Sequence, residues 1–199
     1  MVDRNGLPVR VTIEPAGPDR WGDVVEVFAG GSRRRSSCWC QRFLGRSELA
    51  KRPALQRELD SAKLAPALLA YVDGSPAGWT RVMPRRALPG VLANRALRRV
   101  LPDDPEAWWV TCFAIRPQYR RCGVGTALLG AAVAYAAAHG ASCVEGHPVD
   151  VSTRRAARVS GSELFTGTMA MFQAVGFQEL ARTFPARPLM HLDVTQRRN

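Results

Sequence analysis

A chain of 199 residues with 46% hydrophobic content is the size of one ordinary domain, with enough apolar side chains for a core. Its formal net charge of +11 is carried almost wholly by arginine, Lys51 and Lys63 being the only lysines. The arginines are dispersed and no recognition-helix or stacking-aromatic motif accompanies them, which disfavours a nucleic-acid binder. No apolar run approaches the ~20 residues of a membrane span, and the start, Met1 to Gly6, lacks the apolar core of a signal peptide. A cytoplasmic protein without membrane attachment is expected.

Val9–Ile13 alternates and reads as a first strand. Asp19 is placed to cap a helix through Phe28, with Trp21, Val24, Val25 and Phe28 at helical spacing. Gly30-Gly31-Ser32 and three arginines form a loop, and Ser36–Phe43 is irregular and rich in Cys, Trp and Phe. That segment could wall an acceptor pocket or form a satellite core cluster. Its Cys38-Trp39-Cys40 has no second Cys/His pair at zinc spacing, so no metal is expected. The five cysteines are odd in number, and reduced thiols fit better than a disulfide framework.

Pro53–Ala62 suits a short helix. Leu68–Val72 and Ala77–Met83, joined by Asp73-Gly74-Ser75-Pro76, read as a hairpin. Leu92–Val100 is predicted helical, followed by a Pro102–Pro105 loop. Trp108–Ile115 is a strand; a turn at Arg116-Pro117 leads to Arg120-Arg121-Cys122-Gly123-Val124-Gly125 and then to an Ala/Leu-rich helix that ends at Gly140. Ala141–His147 is a strand stopped by Pro148, and Val149–Gly161 is polar and ill-defined. Met169–Val175 reads as a late helix with Gly176 as its left-handed C-terminal residue. Gln178–Thr183 and Leu189–Val194 are the closing strands. This order predicts an α/β (α+β) fold with a mixed sheet.

The strand, basic glycine loop and helix of Trp108–Gly140 make a phosphate pocket. Glycine lets the backbone approach an anion, and the first helical turn offers unpaired N–H groups and the positive end of the dipole. No lysine follows the last glycine, as a P-loop requires. The third glycine of a dinucleotide fingerprint is replaced by Leu128. Arg120-x-x-Gly123-x-Gly125, together with Met169–Phe177 and its closing Gly-Phe, resembles the GNAT superfamily of N-acetyltransferases. The motifs that carry the likeness are 108–140 and 168–177.

The resemblance implies a single GNAT-like domain over residues 1–199, whose central sheet has two parallel strands splayed apart. It implies acetyl-CoA as cosubstrate and transfer of an acetyl group to a primary amine by direct attack. The amides of Cys122, Gly123, Val124, Gly125 and Thr126 would bind the CoA pyrophosphate, with charge added by Arg120 or Arg121. The strand edge at Phe113, Ala114 and Ile115 would polarise the thioester carbonyl. The family's general-acid tyrosine falls on Phe172, which has no proton to give and would pack against CoA or the core.

Glu145 and His147, at i and i+2 on one strand face, are the catalytic candidates for taking up the amine proton, with Asp150 in reserve. Their alternative roles are an arginine-paired carboxylate and a strand-end surface histidine. Cys112 reads as a small buried hydrophobe before a nucleophile. The acceptor is a small-molecule or peptide amine: aminoglycosides, polyamines, amino acids and protein N-termini all remain open. A monomer or homodimer is expected. The competing readings are a catalytically impaired CoA-binding or regulatory module and an arginine-rich nucleic-acid binder.

Overall fold

The structure, a computed structural model, describes residues 8–29, 39, 41, 43–44, 51–153 and 164–197. Seven strands form one sheet in the order β1-β2-β3-β4-β5-β7-β6. They are β1 (Val11–Pro15), β2 (Ala67–Val72), β3 (Ser75–Pro84), β4 (Trp108–Ile115), β5 (Cys143–Gly146), β6 (Gln178–Phe184) and β7 (Arg187–Asp193). Of these seven strands among the described residues, β4 and β5 pair in parallel and the other neighbours pair antiparallel. The helices are α1 (Trp21–Ala29), α2 (Lys51–Ser61), α3 (Pro89–Leu92), α4 (Val124–Ala138) and α5 (Met169–Val175). The mixed α/β architecture expected from the sequence is the one found.

The β2–β3 hairpin turns at Asp73 and Gly74, both at positive φ (48° and 79°). That is the twist-matched geometry for which Asp-Gly is selected. α4 buries Val124, Leu128, Leu129, Ala132, Val133, Ala136 and Ala137 on one face of the sheet. Its alanines let the helix lie close, and β3 answers with a glycine. A Cβ at Gly78 would stand 2.7 Å from Ile115 Cδ1 and 3.1 Å from Leu128 Cδ1. The opposite sheet face carries two further clusters. One joins Val24, Val27 and Phe28 of α1 and Leu55 and Leu59 of α2 to Trp79 and Cys112. The other gathers Leu88, Val91, Leu97, Trp109 and Leu189.

Three local expectations are corrected. Leu92–Val100 is not one helix: α3 stops at Leu92, and a 3-10 turn covers Leu97–Arg99. Asn94 Oδ1 accepts the N–H groups of Ala96 and Leu97 and so restarts the chain between them. Asp19 does not cap α1; it lies inside a 3-10 turn, Pro18–Arg20, that runs into Trp21. Cys112 is disulfide-bonded, with its partner outside the described residues, whereas Cys122 and Cys143 are free. Most of the Ser36–Phe43 segment and residues 154–161 of the polar stretch also lie outside the described residues.

Candidate active site

β4 and β5 share a ladder of only three pairs, Trp108↔Val144, Trp109↔Glu145 and Val110↔Gly146. β4 continues to Ile115, paired on its other side with β3 as far as Gly78. Beyond Val110, therefore, β4 has parted from β5. The parting coincides with a bulge, because Arg81 faces Cys112 while Val82 faces Val110, leaving Thr111 as the extra residue. Past the parting, the chain after β5 pairs elsewhere. Val149 bridges to Thr168, donating its N–H to Gly167 O and accepting from Met169 N. Gly167, at φ +82°, brings this segment against β4: a Cβ there would lie 3.1 Å from the Phe113 ring.

At the far end of β4 the loop predicted to take phosphate adopts a suitable shape. Arg121 and Gly123 both have positive φ (63° and 76°). Gly123 is the N-cap of α4, and no side chain caps that end. Successive backbone N–H groups in such a turn, followed by an open first helical turn, form a concave anion site. Arg120 Nε donates to Ile115 O at 3.0 Å and ties the loop to the end of β4. Arg120, Arg121 and Gly123 are exposed, Cys122 and Val124 are buried, and Gly125 and Thr126 are half-buried. Phe113, Ala114 and Ile115 are half-buried on the parted stretch of β4. The structure thus brings the sequence-predicted loop and strand edge together.

Phe172 is fully buried, stacked edge-on to Phe113 and Phe177 at centroid distances of 6.5 and 4.8 Å. It fills the space over Gly146, where a Cβ would stand 2.6 Å from the ring's Cζ. Glycine at the end of β5 is what allows this ring to sit where β4 and β5 part.

The proton-acceptor candidates are all engaged. Glu145 is 0% exposed and lies inside the ladder, opposite Trp109, on the sheet face away from α4. Its Oε2 accepts from Arg85 Nη1 at 2.6 Å, and Arg85 also donates to the carbonyls of Pro102 and Asp104. His147 uses both ring nitrogens, with Thr183 Oγ1 2.7 Å from Nε2 and Arg187 Nη2 3.3 Å from Nδ1. A guanidinium can only donate, so Nδ1 is the acceptor and Nε2 carries the proton. Burial, and then the charge of Arg187, push the pKa of His147 down to about 4. The reserve candidate Asp150 accepts from Ser152 N and Oγ and from Arg182 Nη1. The Ser152 hydroxyl foremost, with help from Arg182, holds its carboxyl below the usual carboxylate range.

Arg85, Arg187 and Thr183 were not marked by sequence reasoning. Each meets its partner across the sheet, and only the strand order puts them there. Among the described residues no helix is long and apolar enough to cross a membrane.

Residues 35–159 match the family model described as "Acetyltransferase (GNAT) family". No curated protein matches the sequence. Among solved structures, the GNAT domain of S. lividans PAT is 15% identical, with 97% of this chain and 94% of that one covered at a TM-score of 0.58. YncA, a putative acetyltransferase from Salmonella typhimurium with its cofactor acetyl-CoA, is 14% identical, with 94% and 95% covered and a TM-score of 0.54. The aminoglycoside acetyltransferase AAC(6')-Ib in complex with coenzyme A is 14% identical, with 96% and 100% covered and a TM-score of 0.55. At these identities the likeness is one of fold.

Proposed function

The chain belongs to the GNAT acetyltransferase family, and from that membership we propose that it transfers an acetyl group from acetyl-CoA to a primary amine. The observation that carries this reading is the parting of β4 from β5 beside the uncapped, glycine-led N-terminus of α4. The first offers a slot for the acyl arm, and the second an anion site for the pyrophosphate. The amides of Cys122, Gly123, Val124, Gly125 and Thr126 hold the phosphates, with Arg121 adding charge from the exposed rim. Backbone along Phe113, Ala114 and Ile115 aligns the pantetheine arm and polarises the thioester carbonyl.

The amine nitrogen attacks that carbonyl, the C–S bond breaks, and CoA leaves as the thiolate. Phe172 packs in the parting and contributes shape, so the thiolate takes its proton from water. Glu145, ion-paired with Arg85, and His147, neutral and bonded at both nitrogens, favour positioning roles. The amine loses one proton to solvent before it attacks as the free base and a second to water as the C–S bond breaks, with proximity supplying much of the acceleration. The acceptor is a small molecule or peptide bearing a primary amine, as the aminoglycoside acetyltransferase of the same fold illustrates.

The test combines calorimetric titration with acetyl-CoA and thiol release in the presence of an amine panel, with the amide product identified by mass. Saturable binding and amine-dependent thiol release are expected. Absence of acetyl-CoA binding by the folded protein would remove the reading. Binding without turnover on any amine would leave a CoA-binding module.

A further inference from the structure

Two buried polar atoms face each other without a hydrogen bond. Glu145 Oε1, on a side chain that is 0% exposed, has no hydrogen-bond partner, and neither does His191 Nδ1. They stand 3.7 Å apart, too far for a hydrogen bond and close enough for something between them. Unpartnered polar atoms at this depth cost free energy unless a further group satisfies them. The third member of the group is the free, buried thiol of Cys143. The ligand atoms of Cys143, Glu145 and His191 all lie within 4.8 Å of one another.

The sheet register makes this grouping. β5 and β7 pair with Glu145 opposite His191 and Cys143 opposite Asp193. Cys143 and Glu145, at i and i+2, therefore point to the same face as His191.

We propose that Cys143, Glu145 and His191 form a binding site for a divalent transition metal, with Zn²⁺ the best fit. One thiolate, one imidazole and one carboxylate are zinc's own ligand types, and four-coordinate zinc leaves a place for a water. Charge supports a cation. With Cys143 as thiolate, the pocket holds three negative groups, Cys143, Glu145 and Asp104, against the single positive charge of Arg85. A divalent ion brings it to neutrality. The surrounding bonds suit an outer shell: Arg85 holds the other carboxylate oxygen at 2.6 Å, and Ser142 Oγ fixes Asp104 Oδ2 at 2.6 Å beside the thiol. As the metal–sulfur bond forms, the Cys143 thiol, which now donates to Asp104 at 3.6 Å, releases its proton to solvent. His191 keeps 30% of its side chain in contact with solvent and gives the ion a way in. The site lies on the face away from α4, where β5 pairs with β7, apart from the phosphate loop. It joins β5 to β7, so its work is to clamp the two strands rather than to activate substrate.

The experiment uses the full chain stripped with EDTA and titrated with Co²⁺ and Zn²⁺. One equivalent of Co²⁺ is expected, with a near-ultraviolet thiolate-to-cobalt charge-transfer band, and Zn²⁺ should displace it and raise the melting temperature. Cys143→Ser should abolish the band. His191→Ala, at the most exposed of the three positions, should weaken Zn²⁺ by at least about tenfold, the loss that follows removal of even an outer-shell partner. Circular dichroism of both variants without metal establishes that they fold. If Cys143→Ser fails to fold, His191→Ala decides alone. The proposal is overturned if the wild type takes up no metal, or if the band and the affinity survive both substitutions, which would put the ligands on other cysteines.

Discussion

Arg85 and Glu145 stand 60 residues apart in the chain and 2.6 Å apart in space, their side chains 7% and 0% exposed. A pair this deep is expensive to break from one side, because the surviving charge stays buried. Glu145→Gln is therefore expected to lower stability by about 3–5 kcal/mol, read by urea denaturation. Its turnover per folded molecule should keep the wild-type pH profile. A selective loss of the acidic limb in a variant of normal stability would instead restore Glu145 as the proton acceptor.

Arg121 separates the loop's shape from its charge. At φ +63° it occupies a conformation that favours glycine. Arg121→Gly relieves that strain but gives the unfolded chain more freedom, so a change within about 1 kcal/mol is expected in melts. Affinity for CoA should still fall about tenfold, roughly the ~1.5 kcal/mol of one charged hydrogen bond. Calorimetry showing full affinity would mean the guanidinium does not reach the pyrophosphate.

His147 gives the stability a dependence on acid. Its pKa is about 4 in the folded protein and 6.5 as the reference value, so below pH 6.5 the unfolded chain binds the extra proton. The contribution is fully present above pH 6.5 and is lost as pH falls towards 4. Its size is on the order of 3 kcal/mol. His147→Gln keeps a donor and an acceptor but does not titrate. Denaturation curves at pH 7, 6, 5 and 4 should show a shallower decline for the variant. Parallel declines would remove His147 as the cause.

Gly146 and Phe172 are coupled. A methyl group at Gly146 would press on the Phe172 ring. Gly146→Ala is expected to cost about 1–3 kcal/mol through overpacking. Phe172→Leu makes room, so the double variant should be more stable than the two single losses predict. Simple additivity would show that the ring and the glycine do not meet.

The central unit was legible because its signals are local. β4 spans Trp108–Ile115 as read, Gly123 and Gly176 take left-handed conformations at the ends of α4 and α5, and Asp73-Gly74 turns the hairpin. What sequence could not carry was register. The alternation of Glu145 and His147 was visible. That Arg85 would reach Glu145, Arg187 would reach His147, and His191 would face Glu145 depends on β7 lying beside β5. The Leu92–Val100 misreading has the opposite origin. One helix was read across the stretch, but Asn94 Oδ1 takes the N–H groups of Ala96 and Leu97 and interrupts it locally.

The strand order also sets a sequence of events during synthesis. β1 to β4 pair in turn as neighbours, so that half of the sheet can close as each strand leaves the ribosome. β5 cannot. One side meets three residues of β4, and the other waits for β7, made about 40 residues later and inserted between β5 and β6. Until then the β5 edge, which carries the Glu145 carboxylate, stands open to pairing with another nascent chain. Slow assembly of this last pair, rather than formation of the hairpins, is the stage at which chaperone demand and aggregation during expression should concentrate.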